Sequence, residues 1–214
     1  MKSVILMATA IALLLTACTT NPFTGALQPS KTALGAATGA IVGGVIGVAT
    51  AGSRKAALIG AGIGALAGGG IGAYMDGQEA TLRSQLENTG VSVARVGDSI
   101  VLNMPSSITF DSDRAELKPQ FYTTLNSVAA VFKEYKQTLI DVVGHTDSSG
   151  NPDYNYDLSR RRAAAVAQYL SSQQLDANRF SVEGHGENDP VSSNATKSGK
   201  AMNRRVEITI LPLT

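Results

Sequence analysis

The sequence predicts an α+β domain at its C-terminal end: a two-layer sandwich of a mixed four- to five-stranded sheet covered by two main helices. A glycine-patterned helical hairpin precedes it. Three observations lead there. Residues 91–214 alternate short apolar runs with helical periods in the order strand–strand–helix–strand–helix–strand–strand, which demands crossover connections and some parallel pairing. Only two of the helical stretches are long, too few to cover both faces of such a sheet. Upstream, most of the chain's 22 glycines crowd into its first third.

The opening "MKSVILMATAIALLLTAC" carries Lys2, an apolar run over 4–15 and small residues before Cys18. This is the pattern of a processed signal, residues 1–17, and the run is short for a membrane span. "LTAC" resembles the bacterial lipobox, which implies lipidation at Cys18, the single cysteine of the chain. Thr19 follows it where an aspartate would resemble an inner-membrane retention mark, so an outer-membrane anchor is expected. Residues 18–32, rich in turn formers, read as a lipidated tether.

Two uncharged stretches follow, 33–53 and 56–75, separated by Arg54 and Lys55. Glycine recurs every four residues at Gly35, Gly39, Gly43 and Gly47, then at Gly60, Gly64, Gly68 and Gly72. In water each would cost a helix about 1 kcal/mol relative to alanine. At i, i+4 they line a groove through which helix backbones approach closely, as in lipid. Each stretch would reach about 30 Å as a helix, near the thickness of a hydrocarbon core. The expectation over 33–75 is a helical hairpin in or on a membrane, able also to pair copies of the chain. It resembles the glycine-zipper segment of some bacterial envelope proteins. "DGQEATLRSQLENTG", 76–90, then reads as a connector helix ending at Gly90.

Within 91–214, "VSVARV" and "SIVLNMP" form a hairpin turning at Gly97-Asp98. Pro119 opens a helix whose stripe is Phe121, Leu125, Val128 and Phe132. "TLIDVVGH" is a strand, 155–172 a helix, "FSVEGHGE" a strand, and "NRRVEITILPL" closes the sheet after a polar loop. In the second helix Arg162 lands in the middle of an apolar arc made by Leu158, Ala165, Val166 and Tyr169. A guanidinium placed to be buried needs an anion.

The net charge of +1 provides no basic footprint for nucleic acid. Two strands end in matching words, "VVGHTD" and "VEGHGEND", where ligands of such sheets bind. His145, Asp147, His185 and Glu187 are metal-ligand types, but no histidine pair has helical spacing, and no metal or other cofactor is expected. No serine lies in a nucleophile elbow, so no enzyme is expected. Ionic recognition remains. Asp147 and Arg162 would pair, either simply to hold the loop or also to meet a ligand bearing an ammonium and a carboxylate.

"GHTDSSGNPDYNYDLSRRRAAAV", with "VEGHGENDPV" and "AMNRRVEI", resembles the OmpA C-terminal-like family, which includes Pal and MotB. The likeness covers about residues 100–211. It implies non-covalent peptidoglycan binding, with Asp147 and Arg162 clamping the meso-diaminopimelate of the stem peptide. Supporting positions fall on Asp111, Ser149, Asn155, Asn203 and Arg204. Ser149 stands where threonine is frequent and keeps the hydroxyl. The resemblance thus implies a lipid-anchored outer-membrane protein with its C-terminal domain, residues 91–214, in the periplasm. Two alternatives stay open: an inner-membrane stator- or channel-like oligomer, weakened by the lack of an ionisable residue in either stretch, and a zinc-dependent wall hydrolase.

Overall fold

The computed structural model describes residues 18–20, 27–29, 64, 66 and 70–214. The signal segment and six of the eight patterned glycines (Gly35, Gly39, Gly43, Gly47, Gly60 and Gly68) lie outside the described residues, and so does the expected hairpin. Among the described residues no helix is long and apolar enough to cross a membrane. Two short strands, β1 (Cys18–Thr20) and β2 (Leu27–Pro29), pair antiparallel.

Five strands build the main sheet: β3 (Ser92–Val96), β4 (Ser99–Pro105), β5 (Thr138–His145), β6 (Phe180–Gly186) and β7 (Arg205–Pro212). Their order is β3-β4-β7-β5-β6, with β5–β6 parallel and the other pairs antiparallel. The sheet is therefore mixed, as expected, and the last strand inserts at its centre. Gly97, at φ 67°, supplies the left-handed residue of the β3–β4 turn, a conformation glycine adopts without strain.

One face of the sheet is apolar. Ile100, Leu102 and Met104 of β4, Ile140 and Val142 of β5, and Val206, Ile208 and Ile210 of β7 are fully buried. They meet α3 (Phe121–Glu134) and α4 (Pro152–Ser172) in one core. The period-two alternation along β4 and β7 leaves the other face only half covered, apart from a small cluster of Leu139, Leu211 and Leu213. This is the two-layer sandwich. The α3 stripe buries Phe121, Leu125, Val128 and Phe132 as its spacing requires.

Three elements differ from the sequence reading. The connector expected over 76–90 is a helix, α1, over Gly70–Gln85; it starts inside the second glycine stretch and takes in Gly72. It does not bridge through solvent, because Met75 and Leu82 enter the core and Tyr74 stacks edge-on to Tyr135 at 5.2 Å. Just upstream, the Gly64 carbonyl accepts a hydrogen bond from Gln137 at 2.7 Å, and Leu66 N–H donates to the Leu213 carbonyl. Helix α4 starts at Pro152, three residues early, because Asn151 caps it by accepting from the amides of Asp153 and Tyr154. The polar loop before β7 contains a short helix, α5 (Lys197–Asn203), capped by Thr196. A further one-turn helix, α2 (Ser106–Thr109), follows β4.

Arg179 is among the largest fully buried side chains of the described residues. Its guanidinium donates to the carbonyls of Phe132, Tyr135 and Thr138 and to the Thr138 hydroxyl at 2.7–2.9 Å. It thereby ties the entrance of β6 to the end of α3. Burial lowers its pKa to about 10, which leaves it charged at neutral pH.

Candidate functional site

The two "GH" words have a packing cause. Gly144 and Gly184 are register partners on the adjacent parallel strands β5 and β6. A Cβ on Gly144 would stand 2.0 Å from the Ser159 carbonyl oxygen, and one on Gly184 would stand 2.6 Å from the Arg160 amide. The paired glycines thus make a flat patch on which α4 lies, backbone on backbone. The Ser159 hydroxyl then accepts the Gly186 N–H at 3.0 Å. This contact fixes where the next turn of α4, with Arg162, emerges.

Beyond β5 the chain turns through Thr146 and Asp147. Asp147 is buried, and its Oδ1 accepts the Ser149 amide at 2.8 Å, closing an Asx turn. Asn155, also buried, donates through Nδ2 to the carbonyls of Asp147 and Ser149 and to Glu187. It braces the loop from below. The Ser149 hydroxyl accepts from Lys200 of α5 at 2.9 Å.

The partner of the Asp147 carboxylate is Arg204, whose Nη1 donates to Oδ2. Register explains this choice: His145 of β5 pairs with Arg205 of β7, so the residue before β7 lies against the residues after β5. The Asp147 side chain is 8% exposed and that of Arg204 is 43% exposed. Burial pushes the Asp147 pKa up, but hydrogen bonds from Arg204 and Ser149 outweigh it, and the net shift is downward. A depressed carboxylate stabilises the fold above its ordinary pKa, and the contribution is lost as pH falls through the lowered value.

The expected Asp147–Arg162 ion pair is not formed. Arg162 is 4% exposed, as its place in the apolar arc requires. Its Nε donates to the Arg114 carbonyl at 2.8 Å and its Nη2 to the Asp111 carbonyl at 3.3 Å, while the guanidinium carbon lies 5.2 Å from the Phe110 ring centre. Among the described residues no carboxylate lies within 4.0 Å of it. The α4 axis, set by the glycine patch, aims this side chain at the 110–114 loop rather than at residue 147. Burial accordingly lowers its pKa.

Two more expected site residues have other duties. Asn203 is fully buried and staples the 191–194 loop, accepting from the amides of Val191 and Ser192 and donating to Ser192 and Asn194. Asp111 contributes its carbonyl to Arg162, while its carboxylate is exposed and lies 3.5 Å from Lys118. Asp147, Ser149, Asn155 and Arg204 form one connected cluster. Arg162, on α4, is turned instead to the 110–114 loop, where the Asp111 carbonyl meets it. The sequence reading missed Lys200 and the Arg114 carbonyl and weighed Glu187 only as a metal-ligand type, not as a partner of Asn155; α5, which carries Lys200, leaves no apolar period to find.

Behind this cluster sit two histidines. His145 is buried, and burial together with the Arg205 guanidinium pushes its pKa down to about 4. Its ring meets that of His185 edge-on at 5.4 Å. His185 faces Asp189 and Glu183, at 2.5 and 3.2 Å. Glu187 has instead turned to Asn155.

Comparison with known proteins agrees with this architecture. Residues 109–204 match the OmpA family model, and residues 1–76 match that of the YMGG-like Gly-zipper. The chain is 50% identical over 205 residues to "Probable lipoprotein YiaD" of Escherichia coli K12, covering 94% of both chains. "Peptidoglycan-binding protein ArfA" of Mycobacterium bovis is 39% identical over 103 residues, 48% of this chain and 32% of that protein. Among solved structures, the cell wall anchor of the T6SS from Pseudomonas aeruginosa superimposes with a TM-score of 0.58 at 32% identity, covering 63% of this chain and 96% of that one. With near full-length similarity at one end of the comparison and a matching domain at the other, the chain belongs to the OmpA family and carries a YMGG-like glycine zipper ahead of its OmpA domain.

Proposed function

We propose that this protein is a non-catalytic tether: lipid-anchored at Cys18 in the outer membrane, with its OmpA domain holding meso-diaminopimelate of peptidoglycan stem peptides in the periplasm. The observation that carries the reading is Arg162. A buried guanidinium whose hydrogen bonds go only to carbonyls, beside an aromatic face, has no carboxylate in contact and only Asp113 at longer range to offset its charge, and poorly compensated buried charges are costly. A ligand carboxylate would supply what the fold lacks. Asp147 offers the opposite sign, and the half-exposed Arg204 that covers it can swing into water at little cost. The far end of diaminopimelate carries one ammonium and one carboxylate. In this reading the ammonium meets Asp147, and the carboxylate meets Arg162 with help from the displaced Arg204.

Support for the wall as target comes from relatives. A wall anchor shares the fold at 32% identity, and a protein named for peptidoglycan binding shares the domain. Support for the anchor comes from the lipobox-like "LTAC" and from near full-length similarity to a protein named as a lipoprotein. In this reading the glycine stretches over 33–75 form a hairpin that lies in or on the same membrane and can pair copies of the chain.

The anchor is tested by feeding cells labelled palmitate and fractionating their membranes. Wild-type chain is expected to take up label and to sediment with outer membranes. Cys18→Ser should carry none. Label retained by that variant, or wild-type chain confined to inner membranes, would contradict the anchor.

A further inference from the structure

We infer that His145, His185 and Asp189, at the ends of β5 and β6, form a binding site for a zinc-like divalent cation. Sequence spacing argues against a metal because no two histidines share a helix face. The sheet brings them together instead. Gly144 of β5 stands opposite Gly184 of β6, and the register then shifts so that His145 pairs with Gly186. His185 is the extra residue at that irregularity, and its ring meets the His145 ring edge-on at 5.4 Å. A turn closed by the Asn188 amide on the His185 carbonyl returns Asp189 to the same place. One ligand atom from each residue lies within 4.8 Å of the other two.

The independent sign is His145 itself. It is 3% exposed, and neither ring nitrogen has a hydrogen-bond partner. Buried polar groups are almost always paired, and an orphan costs about 1–3 kcal/mol. A bound cation would take its lone pair.

His185 is already arranged as a ligand. Its Nδ1 lies 2.5 Å from the Asp189 carboxylate, close enough to share a proton with it, and its Nε2 faces Glu183 at 3.2 Å. A cation at Nδ1 would displace that proton while Glu183 keeps the other nitrogen. A carboxylate that orients a metal-binding imidazole through its other nitrogen is a recurring device.

Charge agrees. Arg205 is the cation facing the site, and it is engaged by Glu207 at 2.6 Å and by the carbonyls of Asn203 and Asp189. The negative charges of Asp189 and Glu183 are left to face the imidazoles. A cavity of about 470 Å³, walled by His145, His185, Asp189 and Glu207, gives entry from solvent. It also leaves room for a water as fourth ligand, as in three-ligand zinc sites with an open position.

Zinc bonds of about 2.0–2.2 Å put tetrahedral ligands roughly 3.4 Å apart, so the three atoms must close by about 1.4 Å at most. The side chains of His185 and Asp189, 36% and 60% exposed, are free to rotate that far. Such a cation would pin the edge strand β6 to β5, two residues from Asp147.

The test uses the full-length chain in detergent, stripped of metal and titrated with Zn²⁺ against a chromophoric chelator, with Co²⁺ as a spectroscopic substitute. Wild type is expected to bind one equivalent and to give the intense visible bands of tetrahedral Co²⁺. His185→Ala and Asp189→Asn change exposed groups, so both should stay folded; each is expected to weaken Zn²⁺ at least tenfold and abolish the bands. Failure of wild type to bind a stoichiometric equivalent, or equal affinity in both variants, would overturn the site. The site does not rest on the wall-binding reading, and a failure of either leaves the other standing.

Discussion

Arg162→Ala is expected to abolish retention of the protein on diaminopimelate-type sacculi, a loss of at least 100-fold in a co-sedimentation assay. Charge-assisted hydrogen bonds contribute about 1.5–3 kcal/mol each, and a bidentate fork on a carboxylate makes two of them. At about 1.4 kcal/mol per tenfold, their removal accounts for the loss. The effect on folding is smaller and of a different kind. The substitution frees the Asp111 and Arg114 carbonyls but removes a buried charge that only Asp113, beyond ion-pair contact, offsets. The two changes oppose each other, and a net cost of about 1–2 kcal/mol follows from the lost hydrogen bonds and packing. Asp147 does not lose its partner, because that partner is Arg204. Arg162→Lys keeps the charge but not the planar fork, and should recover only part of the binding. Unchanged sedimentation of a folded Arg162→Ala protein would remove this residue from the site.

Gly144→Ala should be the most damaging small change in the domain. The added methyl would lie 2.0 Å from the Ser159 carbonyl oxygen, and backbone stands on both sides of the clash, so no side chain can swing aside. Overpacking a well-packed interior costs about 1–3 kcal/mol and sometimes more; here the upper end, about 3 kcal/mol, is expected. For about 145 described residues of the OmpA domain and α1, each kcal/mol moves the melting temperature by roughly 2–4 °C, so thermal unfolding monitored by circular dichroism should fall by about 10 °C. Wall binding should fall with it even where the variant is folded, since α4 can relieve the clash only by moving, and Arg162 moves with it. A melting temperature within a degree or two of wild type would mean that α4 is not held by the glycine patch.

These two residues also mark the limits of what the sequence makes legible. The hairpin at Gly97, the strand over Thr138–His145 and the α3 stripe follow from local pattern, because turn formers bound short apolar runs there. The burial of Arg162 was legible too, since one turn of α4 surrounds it with apolar positions. Its partner was not. Whether Asp147 meets Arg162 or Arg204 depends on β7 entering the centre of the sheet beside β5, a pairing between residues some sixty positions apart. No local period encodes it. Likewise Arg204 and Arg205 look equivalent in "NRR", yet they diverge: one reaches Asp147, the other turns to Glu207. Helix α5 has too few apolar residues to announce itself, and the start of α1 is disguised by glycines that suit a membrane stretch equally well. Gly144 and Gly184 carry a signal, two matching words at strand ends, and its cause is the closeness of α4.

The most direct test is to titrate the full-length protein with two soluble stem peptides that differ only at the third residue, one with meso-diaminopimelate and one with lysine. Lysine retains an ammonium for Asp147 but has no second carboxylate for Arg162 and Arg204. The diaminopimelate peptide is expected to bind, and the lysine peptide to bind at least tenfold more weakly, with the difference disappearing in Arg162→Ala. Equal affinity for the two peptides in the wild-type protein would contradict the assignment of Arg162 as the anion receptor.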